Sequence, residues 1–212
     1  MHKAILAILL AASATAAQAA VEIDFNNPTG SIGTSHTYSG GGLSVTAYGV
    51  DFGLNPVGLF GKNNGGDENG VGVVTDPSGD HEIWTGTDFA GGAIVLDVSD
   101  LLANSVTEAQ FSMGSTTAGE GWTIYGFNGV SFVNLLSGND ELTWHDLPGW
   151  GSYLDYAFTA TNAGDNVLLG ALSLTQSVPE PATWAMMLLG FGAMGVAFRR
   201  QKRSAKALVQ VA

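Results

Sequence analysis

Between residues 63 and 82 the chain carries five carboxylates, Asp67, Glu68, Asp76, Asp80 and Glu82, within sixteen positions and interleaved with asparagine and glycine. A hard cation such as calcium takes six to eight oxygen ligands, and glycine lets backbone carbonyls turn towards it. The spacing does not follow the EF-hand loop, and Gly65-Gly66-Asp67 does not continue as the calcium-binding nonapeptide repeat. Asp, Asn and Gly are equally the residues that turns use. Two readings therefore stand side by side: a calcium site built from these five carboxylates, and a pair of solvated turns.

The other residues capable of chemistry are sparse. His36, His81 and His145 lie in the central part of the chain, and zinc would need three or four such ligands gathered in space. His81 stands between Asp80 and Glu82, but adjacent residues of a strand point to opposite faces. There is no cysteine for a thiolate site, and no Gly-x-Ser-x-Gly elbow for a serine nucleophile; Ser115, after Gly114, reads as a turn or strand residue. Pairs of carboxylates at glycosidase spacing arise by chance in so acidic a chain and assign no catalytic residue. The expectation is a non-enzyme, with a secreted carbohydrate-active enzyme as the competing class. Trp144 and Trp150 flank a turn-like stretch and suit either a carbohydrate-binding edge or the packing of a core.

The elements that must position these residues read as strands. Residues 21–25 and 43–48 alternate apolar with polar; Ile94, Leu96 and Val98 share one face; so do Trp122, Ile124 and Gly126; and Leu154, Tyr156, Phe158 and Ala160 form another. Residues 167–174 are almost continuously apolar, as expected of a central strand. Gly, Asn, Asp and Pro clusters separate these runs, and the stretch around Asp97 to Leu102 is able to cap a single helical turn. The expected class is all-β: a β-sandwich, by analogy a jelly roll, over residues 20–177.

Both ends differ in character from this domain. Lys3, the apolar residues 4–12 and the small-x-small site Ala17-Gln18-Ala19 read as a secretory signal peptide over residues 1–19, cut by signal peptidase after Ala19. Residues 182–198 hold no charge and, at 1.5 Å per residue, make a helix of about 25 Å, at the short end of a membrane span. Arg199, Arg200, Lys202 and Arg203 follow as a basic anchor, and residues 204–212 read as a short cytoplasmic tail.

The order Pro179-Glu180-Pro181, then Trp184-Ala185, then Gly190-Phe191-Gly192 and the arginine cluster, over residues 178–203, resembles the PEP-CTERM sorting signal in its Pro-Glu-Pro-x-x-Trp-Ala variant. The resemblance implies a partner, an exosortase-type membrane enzyme that recognises Pro179, Glu180, Pro181 and Trp184. It also implies a Gram-negative source, transient anchoring in the inner membrane, and delivery to the cell surface or extracellular matrix, often in company with exopolysaccharide and biofilm. A plain membrane-anchored periplasmic protein is the remaining alternative.

Charge sharpens the picture. The whole chain has 7 basic and 19 acidic residues, net −12, yet residues 20–177 hold 18 of the acids and one base, Lys62, hence −17. Nucleic acid is excluded as a partner of such a domain, because phosphate binding needs clustered Lys and Arg. A domain this acidic repels itself unless cations screen it, which makes calcium the candidate cofactor.

Overall fold

The computed structural model describes residues 18–86, 91–116 and 119–177, and beyond them residues 185, 188–192, 194, 195 and 199. Residues Ala19–Gln176 form one compact unit. In chain order its elements are β1 (Gln18–Asp24), β2 (Gly30–Gly33), β3 (Ser35–Gly40), β4 (Leu43–Asp51), β5 (Leu59–Asn63), β6 (Asn69–Val73), β7 (Ile83–Trp84) and β8 (Gly92–Asp97). There follow α1 (Ser99–Ala103), β9 (Val106–Gly114), β10 (Trp122–Phe127), β11 (Phe132–Gly138), β12 (His145–Asp146), β13 (Asp155–Ala160) and β14 (Asn166–Ser177).

The strands make two sheets. One runs β12-β9-β14-β6-β5-β2, with β1 and β7 also paired to β14; the other runs β11-β10-β13-β8-β4-β3. A single core joins them: Leu59, Val71, Phe111 and Leu169 from the first sheet pack with Val45, Ile94, Leu96, Ile124 and Phe158 from the second, each of them 0–1% exposed. The molecule is thus an all-β, two-sheet structure of the sandwich kind.

Alternation explains most of this burial. Leu43, Val45 and Ala47 of β4 are buried, as are Ile94 and Leu96 of β8, because every second side chain of a pleated strand faces the core. The apolar run in β14 is less simple. Val167 and Leu169 belong to the core cluster, and so do Leu172 and Leu174, which are of the opposite parity. The register against β9 slips between Leu169 and Ala171, so one extra residue, Gly170, turns the strand by half a period and keeps the apolar face inward.

One sequence expectation needs adjustment and another is met. Leu154 does not share the face of Tyr156, Phe158 and Ala160: it is 58% exposed and precedes β13, its carbonyl accepting the N–H of Val98 at 2.9 Å while the chain is still leaving a turn. The expected helical turn after Asp97 is α1, with Leu101 fully buried, and the Asp97 carboxylate accepts the Ser99 N–H at 2.9 Å.

The expected signal helix and the apolar helix over residues 182–198 lie for the most part outside the described residues. Gln18 and Ala19 are described and belong to β1, not to a helix. In the C-terminal segment the described residues are helical and exposed, Leu188 at 72% and Phe191 at 63%. Among the described residues no helix is long and apolar enough to cross a membrane.

Candidate functional site

Lys62, the lone base of the domain, lies in β5 with its side chain only 8% exposed. A buried ammonium needs paired acceptors, and two chain segments supply them. The first is the β5–β6 hairpin itself. Its turn uses Gly65 and Gly66 at positive φ, and the Asn69 side chain accepts the Gly65 N–H at 2.8 Å. This folds Glu68 back so that its carboxylate pairs with Lys62.

The second segment brings Glu82. Asp76, itself buried, organises the loop that delivers it: its carboxylate accepts the Ser78 N–H at 3.0 Å, the Ser78 hydroxyl at 2.6 Å and the Glu82 N–H at 3.2 Å. The loop then runs directly over Gly72 of β6, where any Cβ would collide with the carbonyl oxygen of His81 and the Cα of Glu82. Glu82 Oε1 thereby reaches 2.7 Å from Lys62 Nζ.

Ser115 closes the site from the end of β9. It is 4% exposed with φ of 55°, and its backbone N–H donates to the Asp67 carbonyl at 3.0 Å. Its Oγ stands 2.8 Å from Glu68 Oε1 and 2.7 Å from Glu82 Oε1. One hydroxyl has one proton to give, so it serves one carboxylate at a time.

The electrostatics follow from this packing. Burial pushes the Glu82 carboxyl above its ordinary value, against the pull of Lys62 and Ser115. Burial acts in the same direction on Glu68, but hydrogen bonds from Lys62 and Ser115 outweigh it and hold that carboxyl low. For Lys62 burial disfavours the charge, while Glu68 and Glu82 together keep its pKa above the ordinary value. An ammonium held charged has no lone pair to act as a base, and Ser115 has no imidazole among its hydrogen-bond partners. The arrangement ties two loops to a hairpin.

The five carboxylates read from the sequence as calcium ligands are therefore not gathered into one site. Glu68 and Glu82 surround the chain's own cation, Asp76 is engaged with the backbone of its loop, and Asp80 is exposed. Among the described residues no group of three or more His, Asp or Glu is placed to hold a metal ion. The histidines are likewise dispersed: His36 packs edge-on to Tyr38, His81 lies 4.0 Å from the Phe60 ring, and His145 meets Asp140 at 2.9 Å.

The two tryptophans also part company. Trp150 packs against the core, its Nε1 donating to the Val106 carbonyl at 3.0 Å and its ring stacked near Tyr156. Trp144 stays 39% exposed just before β12. Sequence reasoning missed Ser115 and the pairing of Lys62, although a single base among 18 acids is itself a signal that it must be bound by them.

Of the sorting residues, Pro179, Glu180, Pro181, Trp184, Arg200, Lys202 and Arg203 lie outside the described residues, and Arg199 is helical and exposed. No curated protein and no solved structure matches the chain. One family model does: residues 177–203 match the PEP-CTERM protein-sorting motif. That motif marks proteins that are exported, handled by an exosortase membrane enzyme and associated with the cell surface, and this chain carries it.

Proposed function

We propose that this protein is exported, held briefly at the inner membrane by its C-terminal segment, processed by an exosortase and left at the cell surface or in the surrounding matrix. There it has a structural or adhesive part alongside exopolysaccharide, without catalysis of its own. The observation that carries this reading is the sorting motif at residues 177–203. The domain's character supports it: a two-sheet body, a net charge of −17 over residues 20–177, and a polar cluster whose lysine is held in the charged form.

Mass spectrometry of the mature C-terminus tests the sorting step. In the wild type the chain is expected to end before Arg203, and in Pro179→Ala the tail is expected to persist. A wild-type protein that keeps its residues past Arg203 in cells would instead be a plain membrane-anchored protein, and the sorting reading would fall.

A further inference from the structure

The outer face of the second sheet carries a groove separate from the lysine cluster. Tyr48 of β4 pairs with Val95 of β8, Val95 with Ala157 of β13, and Ala157 with Tyr125 of β10. These four residues form one row across the sheet. Their neighbours along each strand, Ala47, Ile94, Phe158 and Ile124, are 0% exposed in the core, so alternation turns the row outward. At about 4.8 Å per strand the two tyrosines stand roughly 14 Å apart, with only a valine and an alanine between them.

The result is a trough with aromatic sides. Two adjoining hollows of about 280 and 320 Å³ occupy it, and Val95 and Phe132 line both. Thr159 lines one hollow and Asp155 the other. Tyr48 is 41% exposed. Asp97 lies directly across from Asp155 in the next strand, and among the described residues none that lines either hollow is a cation.

Sugar rings present flat C–H faces rimmed by hydroxyls. The faces pack on aromatic rings and the rims seek a few placed polar groups, the mixture that defines a small-molecule site of this type. The carboxylates along the trough repel acidic ligands and lack basic partners, which selects against uronates and sulfated chains. We propose that this groove binds a short stretch of a glycan free of acidic groups, its rings lying against Tyr48 and Tyr125 and its hydroxyls reaching Thr159 and Asp155. The proposal supplies a contact site for the matrix role above, and it rests on that reading for the source of the glycan.

Calorimetric titration of the full-length protein in detergent solution tests it, with cellohexaose, a chitosan hexamer and an alginate hexamer as probes. The first two are expected to bind and the alginate to give no heat. Tyr48→Ala and Tyr125→Ala should each weaken cellohexaose binding about ten-fold. Tyr48→Phe keeps the ring and should bind within about two-fold of wild type, and near-UV circular dichroism shows that each variant is folded. No binding of cellohexaose and chitosan, equal binding of alginate, or unchanged affinity in the folded alanine variants overturns the groove. The mature C-terminus is read separately. A trimmed tail without glycan binding removes the groove and leaves the surface reading standing; glycan binding with an intact tail does the reverse.

Discussion

Replacing Lys62 by methionine keeps most of the side-chain volume and removes the charge. The two glutamates then respond differently, because the Glu68 side chain is 38% exposed and rehydrates, whereas that of Glu82 is 7% exposed and does not. Taking one partner from a buried pair costs about 3–5 kcal/mol. Proton uptake by Glu82 sets a ceiling on this: holding a carboxyl with an ordinary pKa near 4.3 neutral at pH 7 costs at most about 3.7 kcal/mol. The expected loss at pH 7 is therefore about 3 kcal/mol, or roughly 6–12 °C in Tm for a domain of this size.

The pH dependence has a definite sign. Burial already raises Glu82 in the wild type, and losing Lys62 raises it further. The folded variant then holds a proton that the unfolded chain releases, so its stability falls as pH rises through the unfolded value near 4.3. The penalty should be small at pH 4 and complete at pH 7. Urea denaturation followed by tryptophan fluorescence at pH 4, 5.5 and 7 measures it, with Lys62→Met/Glu82→Gln as the partner variant. Glutamine cannot ionise and keeps an oxygen for the Ser115 hydroxyl, so the double variant should recover most of the loss at pH 7. A single variant within about 1 kcal/mol of wild type at pH 7, or a penalty equally large at pH 4, would refute the reasoning and mean that the cluster is hydrated.

Asp155→Asn should raise Tm modestly at pH 7 and not at pH 3. Burial and then the facing Asp97 lift the Asp155 carboxyl above its ordinary value, so its charged form opposes folding as pH rises through the unfolded value; calorimetric melting at the two pH values is the check, and a fall in Tm at pH 7 would contradict it. Millimolar calcium chloride should leave Tm within about 1 °C, since Lys62 already occupies the space between Glu68 and Glu82. A rise of several degrees would support the calcium reading of residues 63–82.

The strands were legible where the pleat is regular. In β4 and β8 each apolar residue at period two is buried as the alternation requires. In β14 the same logic sees only an uninterrupted apolar run, because the bulge at Gly170 that exchanges its faces is defined by pairing with β9, more than fifty residues earlier. Leu154 misled for a related reason: its parity matches β13, but the strand begins one residue later, where Asp155 first finds Asp97.

What the amino-acid order determined by itself is what linear readers and bulk physics need: the acidity of the domain, the apolar ends and the sorting motif at residues 177–203. Such features act as stretches of chain and need no partner distant in sequence. The fate of the carboxylates was decided only in three dimensions. Asp67, Glu68, Asp76, Asp80 and Glu82 are neighbours in sequence, yet it is Lys62, the loop hung on Asp76, the bare backbone of Gly72 and the distant Ser115 that make two of them a buried tie. The physical reason is that burying a charge is tolerable only where a partner arrives with matching geometry, and that meeting is arranged by sheet pairing between segments far apart along the chain.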